Sequence, residues 1–325
     1  MTPCPSRHFT KTTFWNARLA GVLALALVML IMAGCASTPQ LAETTKRELP
    51  RQTLLEQTPF HGQRDYQCGP ASLAMVLNAS DVPVEVDTLI PQVFLPEREG
   101  SVQPEMLATV RRHGRIPFMI KGNLDALLTE IDAGHPTVVM QNLSLPAWPI
   151  WHYAVAIGFD LDEETLILHS GMEPERIESF KRFDATWARS DRWAFVALPP
   201  GTLPATTDAE AAMDAIVDFE RVQGEQAALL AWEALIDRHP EHAMGHFALG
   251  NARYATGDRQ GAIAAFEGAV AQDPDLAVAW LNLGLLQQEM GNVDQAREAL
   301  QLAAAHPGAW QNPARQALDG LKSGD

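Results

Sequence analysis

The triplet Cys68-Gly69-Pro70 holds the side chain with the greatest potential for covalent chemistry in this sequence. The residues that follow it, ASLAMVLN, favour a helix, and a proline is tolerated in the first turn because the amide there has no partner within the helix. Cys68 therefore lies at the N-terminus of a predicted helix, where the helix dipole favours the thiolate. Gly69 is expected to let the backbone approach a substrate closely. A thiolate in this position is a candidate nucleophile for attack on a carbonyl carbon.

Two further residues could supply the groups that such an attack needs. Gln63, five residues before Cys68, is placed to donate its side-chain amide to an oxyanion, together with the backbone N–H of Cys68. His152 stands directly before the strand-like run YAVAIGF, which would hold its imidazole at the end of a rigid strand as a general base. A lone histidine beside Tyr153 is more often a packed strand residue, so the interpretation depends on the three residues together.

The segments QRDYQCGPASLAMVLN and WHYAVAIGFD together resemble the bacteriocin-processing (double-glycine leader) peptidases and their stand-alone bacterial relatives. The resemblance covers about Leu54 to Pro200. It implies an α+β papain-like cysteine peptidase domain over residues 54–200, with Cys68 as nucleophile, His152 as base and Gln63 as oxyanion donor. It also implies cleavage of a peptide or amide bond through a thioester, with a preference for small residues such as Gly-Gly at the cut.

The group that orients the histidine departs from the family's pattern. The family presents an Asp-Pro pair after the next strand, whereas the corresponding stretch here, TLILHSGMEPER, places Ser170 at the aspartate position. A serine can accept the imidazole N–H, but it does not stabilise an imidazolium as a carboxylate does. Asp160, Asp162 and Glu173 lie nearby in the sequence, and no spacing favours one of them as a substitute. The sequence therefore predicts Ser170 as an atypical third member of the site.

The first 34 residues have the composition of a secretory signal. Arg7, Lys11 and Arg18 precede the apolar run LAGVLALALVMLIMA, and no acidic residue accompanies them. This run is short for a membrane span, which needs about 20 apolar residues. An N-terminal anchor that is never cleaved is the alternative interpretation.

The end of the apolar run, Met32-Ala33-Gly34-Cys35, resembles the bacterial lipobox. The resemblance implies that residues 1–34 are removed, that Cys35 is lipidated and that residues 35–53 are a tether. Ser37, which stands where a sorting aspartate would be, favours the outer membrane with the protein facing the periplasm. Cleavage and lipidation would leave Cys68 as the only free thiol of the mature chain, and an unpaired cysteine in an exported protein is expected to be reactive.

Residues 209–325 repeat with a period of 34 residues. Four pairs of small or turn-forming residues have this spacing: Pro240 and Pro274, Gly250 and Gly284, Gly257 and Gly291, and Ala262 and Ala296. The pattern resembles the tetratricopeptide repeat, which implies an all-α solenoid of stacked helix pairs with a concave surface for a protein partner. A generic helical bundle is the alternative. A degenerate first unit over residues 211–239 and a cap after Pro307 complete the predicted solenoid.

Residues 201–208, which include TLPATTD, have the composition of a linker between the two domains. A linker predicts that the domains fold separately. We therefore expect the first domain to keep its fold when residues 209–325 are deleted.

The charge and the histidine spacing argue against other classes of function. A formal net charge of −16 offers no basic face for a nucleic-acid partner. His113, His135 and His169 have no partners at metal-ligand spacing, so we expect neither a metal site nor a cofactor. His242 and His246 are four residues apart, as two ligands would be, but without a third ligand they are interpreted as a solvated helix face.

Two functions of different classes are consistent with these features. The first is a membrane-anchored cysteine peptidase or amide hydrolase, with acyl transfer as a variant of the same thioester chemistry. The second is a non-catalytic adaptor lipoprotein whose peptidase-like domain binds peptides or partner proteins without cutting them, and the serine at position 170 motivates it. Reactivity of Cys68 that depends on His152 would separate the two.

Overall fold

The computed structural model describes residues 39–63, 67–98 and 100–322. Cys4, Cys35 and the predicted signal lie outside the described residues. Of the helices in the described ranges, none combines the length and the apolar character needed to cross a membrane.

Residues 39–198 form helices around an antiparallel sheet, and residues 209–322 form helices only. The strands are β1 (Gln52–Leu54), β2 (Phe94–Leu95), β3 (Gly100–Ser101), β4 (Ile116–Met119), β5 (Thr137–Asn142), β6 (Trp151–Asp160), β7 (Thr165–Ser170), β8 (Glu173–Ser179) and β9 (Ala194–Leu198). The helices of the first region are α1 (Glu43–Glu48), α2 (Cys68–Ala79), α3 (Val86–Val93), α4 (Gln103–Arg112), α5 (Leu124–Asp132) and α6 (Phe180–Trp187). Those of the second region are α7 (Ala209–Gln223), α8 (Glu225–Arg238), α9 (Ala243–Ala255), α10 (Arg259–Gln272), α11 (Ala277–Glu289), α12 (Val293–Ala305) and α13 (Gln311–Lys322).

Strand β6 is the longest of the described strands and runs through the middle of the sheet, whose order is β4-β9-β5-β6-β7-β8. Strand β1 pairs with the far end of β6, at Asp160. Successive side chains of a strand point to opposite faces. Tyr153 and Val155 accordingly pack with α2 in one core, and Ala154 and Ala156 pack with α5 and α6 in the other. Burial on both faces explains why this strand reads as an uninterrupted apolar run.

The glycines of the 34-residue period mark the contacts within each helix pair. A Cβ on Gly250 would lie 2.5 Å from the ring of Phe266, and one on Gly284 would lie 2.6 Å from Leu300. Only a glycine lets the two helices of each pair approach this closely. Gly257 and Gly291 have φ values of +86° and +81° and form the turns between the helices, as the sequence predicted.

The two regions share one hydrophobic core. Ile116 and Leu198 of the sheet belong to the same buried cluster as Ile216 and Trp232 of helices α7 and α8. Arg111 on α4 forms an ion pair with Asp218 on α7 at 2.8 Å. This packing argues against the sequence-based expectation that the first domain keeps its fold without residues 209–325.

The stretch between the regions is bound by residues of both regions, unlike a free linker. Glu130 on α5, which is fully buried, accepts hydrogen bonds from the backbone N–H groups of Ala205 (3.1 Å) and Thr206 (2.8 Å) and from the Thr206 hydroxyl (2.6 Å). It also contacts Nδ1 of His135 at 2.8 Å. Arg238 donates to the carbonyl of Pro204 from the other side. These contacts fix the junction because both oxygens of the buried Glu130 carboxylate have partners.

Candidate active site

Cys68 is the first residue of α2, as the sequence predicted, and its side chain is half-buried. Pro70 occupies the first turn of the helix. A Cβ on Gly69 would collide with the side chain of Ser101 on β3. The glycine therefore allows β3 to pack against the start of α2, which is a different role from the predicted approach of a substrate.

The Cys68 thiol is neutral at rest. Burial raises the pKa of Cys68 above its ordinary value, and the backbone N–H groups of Tyr153, Gly69 and Cys68 itself oppose that rise without cancelling it. The helix dipole predicted a shift of the opposite sign. The loss of water around the sulfur is the larger effect here, so the predicted net preference for the thiolate form is wrong.

His152 is the second residue of β6, and its Nε2 lies 2.9 Å from the hydroxyl oxygen of Ser170 at the end of β7. Ser170 is itself only 4% exposed. A hydroxyl can donate to a ring nitrogen or accept from it. When it accepts from Nε2–H, the Nδ1 atom of His152 is unprotonated and able to take a proton. The structure therefore brings together the histidine and the serine that the sequence paired.

The imidazole of His152 is neutral as well. Burial, with a smaller contribution from the nearby cation of Arg176, lowers the pKa of His152 to about 4. Arg176 on β8 is a functional neighbour that the sequence analysis did not single out. A buried imidazole with a hydroxyl partner and a cation close by is a proton acceptor that holds its proton weakly.

The three acidic candidates for orienting His152 are bound elsewhere. Asp160 accepts from the side chain of Gln52 at 2.6 Å, at the opposite end of β6 from His152. Asp162 pairs with Arg51 at 3.0 Å, and Glu173 is 3.9 Å from Arg176. Ser170 is thus the side chain that meets the imidazole, and the alternatives that the sequence left open do not.

Gln63 and Cys68 meet at one residue of β6. The side-chain Nε2 of Gln63 donates to the carbonyl of Tyr153 at 3.4 Å. The backbone N–H of the same Tyr153 donates to the Cys68 sulfur and opposes the rise in the pKa of the thiol. Gln63 is 8% exposed, and its second Nε2 hydrogen is free for another acceptor. No hydrogen bond links Cys68 on α2 to His152 on β6, both of which are described residues.

The hairpin between β5 and β6 forms an apolar rim beside the site. Trp148 is 74% exposed, and Leu145, Ile150 and Trp151 are exposed as well. Two backbone hydrogen bonds hold this loop, from Leu143 to Ile150 and from Trp148 to Leu145. The loop is therefore held by backbone hydrogen bonds, and its apolar side chains are exposed to solvent in the residues that precede His152 in the sequence.

His242 and His246 have structural partners. His242 caps α9, where its Nδ1 accepts from the N–H of Gly245 at 2.9 Å, and its Nε2 lies 3.1 Å from Glu210. His246 contacts the carbonyl of Pro240 at 2.8 Å. The interpretation of this pair as a solvated face is wrong for His242, whose side chain is largely buried. Across the described parts of the chain, no three His, Cys, Asp or Glu side chains form a group that could hold a metal ion.

Comparison with known families covers both regions. Residues 51–194 match the model of the Peptidase C39 like family. Residues 225–277 and 253–318 match two models described as tetratricopeptide repeat. The chain carries a Peptidase C39-like domain followed by tetratricopeptide repeats. This confirms the predicted family resemblance and the predicted fold class, an α+β peptidase-like domain with an all-α repeat region.

Solved structures are similar to parts of the chain. A protein described as a C39-like peptidase from Bacillus anthracis is 16% identical over 46% of this chain and 98% of that chain, with a TM-score of 0.40. The TPR2B domain of yeast Sti1, solved in a pHsp70 complex, is 21% identical over 36% of this chain and 98% of that chain, with a TM-score of 0.34. MamA is 22% identical over 36% of this chain and 68% of that chain, with a TM-score of 0.33. No curated protein matches the chain.

Proposed function

We propose that the C39-like domain is a cysteine peptidase or amide hydrolase in which Cys68 is the nucleophile, His152 the general base and Gln63 the oxyanion donor. The observation that carries the proposal is the contact of His152 with Ser170 at 2.9 Å. This contact engages Nε2 and leaves Nδ1 for the thiol proton. Ser170 takes the place of the orienting carboxylate, so we expect slower turnover than a charged partner would give.

The proposed reaction starts from two neutral groups. As sulfur bonds to the carbonyl carbon, the thiol proton passes to Nδ1 of His152, and the backbone N–H of Cys68 and the free Nε2 hydrogen of Gln63 hold the oxyanion. The imidazolium gives this proton to the departing amine, and the C–N bond breaks. Water, deprotonated by the same Nδ1, then hydrolyses the thioester and the proton returns to sulfur.

The test of the enzyme is labelling by an activity-based probe that carries an electrophilic carbonyl. The full chain is compared with Cys68→Ala and His152→Ala, and the modified residue is mapped by mass spectrometry. The proposal predicts labelling at Cys68 that is abolished in the first variant and at least tenfold slower in the second. Equal labelling of the full chain and Cys68→Ala would overturn it.

The second candidate function is an adaptor that binds peptides without cutting them. The neutral thiol, the weakly basic imidazole and the lack of a bond between Cys68 and His152 favour it. In that case Cys68 would react with the probe at the same rate in the full chain and in His152→Ala. The same experiment therefore decides between the two functions.

The proposal places the protein in the bacterial cell envelope. Lipidation of Cys35, supported by the lipobox resemblance of Met32–Cys35, would hold it at a membrane by burial of the acyl chains. We propose the outer membrane with the protein facing the periplasm. Cys35→Ala is expected to move the protein from the membrane fraction to the soluble fraction, and unchanged retention would favour an uncleaved N-terminal anchor.

The tetratricopeptide repeats supply a protein-binding surface in this proposal. Repeats of this class stack into an extended concave face that engages peptides or proteins. Their first helix pair packs on the sheet of the C39-like domain, so a bound partner would be held at a fixed distance from the catalytic cleft. This arrangement favours delivery of a substrate protein or attachment to an assembly.

A further inference from the structure

His169 is a buried histidine that the proposed reaction does not use. It precedes Ser170 on β7 and is 4% exposed. Its Nε2 lies 3.1 Å from the carbonyl oxygen of Thr58, and its Nδ1 accepts from the backbone N–H of Glu175 at 3.2 Å. Both ring nitrogens are therefore engaged, each by a backbone group on a different segment.

These two partners determine the tautomer of the ring. A backbone N–H can only donate and a carbonyl can only accept, so Nδ1 carries no proton and Nε2–H donates to Thr58. Burial lowers the pKa of His169, against smaller effects of Thr58 and Glu175 that raise it. The ring is thus held neutral in one orientation, and its edge-to-face contact with Phe60, with ring centroids 5.3 Å apart, fixes it further.

His169 joins two segments that each carry a group of the candidate active site: Gln63 lies on one and Ser170 on the other. Thr58 begins the stretch that ends at Gln63. Glu175 lies on β8, beyond the turn that leads out of Ser170. A second clasp joins the same segments, because the backbone N–H of Gln63 donates to the carbonyl of Gly171 at 3.0 Å.

We propose that His169 is a positioning residue that aligns the Gln63 amide for the oxyanion through its bond to Thr58. This inference rests on the proposed function. An apolar side chain would fill the same volume, but it would leave the buried Thr58 carbonyl and the part-buried N–H of Glu175 without the partner that His169 supplies. The histidine satisfies both and couples the position of the oxyanion donor to the strand that carries Ser170.

Two substitutions separate the two bonds of His169. In His169→Gln, the side-chain amide nitrogen takes the place of Nε2 and keeps the bond to Thr58. In His169→Asn, the side-chain oxygen takes the place of Nδ1 and keeps the bond to Glu175, while the bond to Thr58 is lost. Thermal unfolding of each variant reports the loss of stability, which is expected for both because each gives up one hydrogen bond, the buried one to Thr58 in His169→Asn and the part-buried one from Glu175 in His169→Gln.

The readout is the reaction of Cys68 with two reagents in the full chain. Acetylation by p-nitrophenyl acetate forms the thioester, releases p-nitrophenol and passes through an oxyanion, whereas alkylation by iodoacetamide forms no oxyanion. We expect His169→Asn to slow acetylation about tenfold or more, since complete loss of an oxyanion donor costs about 10²–10³. We expect the alkylation rate to stay within about twofold, and His169→Gln to keep acetylation within about threefold of the unsubstituted rate.

A double substitution tests the route through Gln63. If His169 acts by aligning that side chain, His169→Asn has no further effect on acetylation in a Gln63→Ala background. Additive effects, or acetylation losses that follow the melting temperatures of all variants, would overturn the inference and leave His169 with a structural role. If the unsubstituted chain shows no p-nitrophenol burst that depends on Cys68, the proposed function itself fails, which is a distinct outcome.

Discussion

The domain junction and the candidate active site each hold a histidine beside a polar partner, and the two partners differ in charge. At the junction, His135 lies 2.8 Å from the buried carboxylate of Glu130, which also accepts from Ala205 and Thr206. In the cleft, His152 has the hydroxyl of Ser170 at 2.9 Å. A carboxylate–imidazole pair is thus found at the junction, where the same carboxylate also binds the stretch between the two regions.

The difference shows what a buried carboxylate requires. Burial by itself would raise the pKa of Glu130, but hydrogen bonds from His135, Thr206 and Ala205 outweigh it and lower the pKa. The junction supplies these donors, so the charge is stable there. In the candidate active site, burial raises the pKa of Cys68 and lowers that of His152, and the hydroxyl of Ser170 offers no charge that would oppose the second shift. The junction is therefore stabilised by a charged group, the Glu130 carboxylate, whereas the histidine of the candidate active site has a neutral partner, the Ser170 hydroxyl.

The largest expected effect comes from removing one side of the junction. Deletion of residues 209–325 uncovers Ile116 and Leu198 in the shared core, and we expect the remaining chain to lose cooperative unfolding and to aggregate. Calorimetry and sedimentation measure this. Deletion of residues 277–325 is the matched control, since the shared cluster contains no residue beyond Ala265. A folded, monomeric product of the longer deletion would show that the domains are independent.

The second effect tests the charge at the junction. Glu130→Ala leaves His135, Ala205 and Thr206 without their acceptor, and we expect the free energy of unfolding to fall by about 3–5 kcal/mol. The exposed Glu298→Ala is the control and should change it by less than about 0.5 kcal/mol.

The pH dependence of Glu130→Ala has a defined sign. The pKa of Glu130 is lowered in the folded protein, so its stabilising effect is complete above the ordinary carboxyl pKa and is lost as the pH falls through the lowered value. The variant should therefore show a weaker acid dependence of stability than the unsubstituted protein. An unchanged slope would mean that Glu130 does not carry the charge at the junction.

The third prediction concerns a carboxylate placed beside His152, like the one that Glu130 places beside His135 at the junction. Ser170→Asp places a carboxylate against Nε2 of His152, which should raise the pKa of His152 from about 4 and increase the thiolate fraction of Cys68. We expect alkylation of Cys68 by iodoacetamide at neutral pH to accelerate about tenfold or more. Ser170→Asn, which adds similar bulk without charge, should leave the rate near that of the unsubstituted chain. Equal rates for the aspartate and asparagine variants would show that the added carboxylate does not raise the pKa of His152.

The smallest effect concerns the cation beside the cleft. Arg176→Met removes the minor of the two causes that lower the pKa of His152 and leaves burial in place, so we expect the alkylation rate to rise only about two- to threefold. NMR titration of the imidazole should show an upward shift of its pKa. Arg182→Met, on the neighbouring helix α6, is the control and should leave the titration unchanged. A fall of the His152 pKa in Arg176→Met would contradict this account.

The parts of the structure that follow from local patterns were predictable. The 34-residue period gave the turns at Gly257 and Gly291, and helix propensity with the first-turn proline gave the start of α2 at Cys68. The likeness of the segments around Cys68 and His152 to a known family indicated the peptidase-like fold.

The features that sequence reasoning missed depend on contacts between distant positions. Glu130 and Thr206 are 76 residues apart, and His169 and Thr58 are 111 apart, so neither pair leaves a local signal. The sign of the Cys68 pKa shift was missed for the same reason, because burial of the sulfur outweighs the helix dipole. The position of His169 directly before the expected orienting residue was the one signal that pointed to its role.

The most direct test of the neutral resting site is the pH dependence of Cys68 alkylation by iodoacetamide, from about pH 5 to pH 10, in the full chain and in His152→Ala. A raised thiol pKa and a His152 pKa of about 4 predict a rate that climbs only in the alkaline range, with no plateau near neutrality. A plateau around neutral pH that disappears in His152→Ala would show a thiolate–imidazolium pair at rest and would contradict the account.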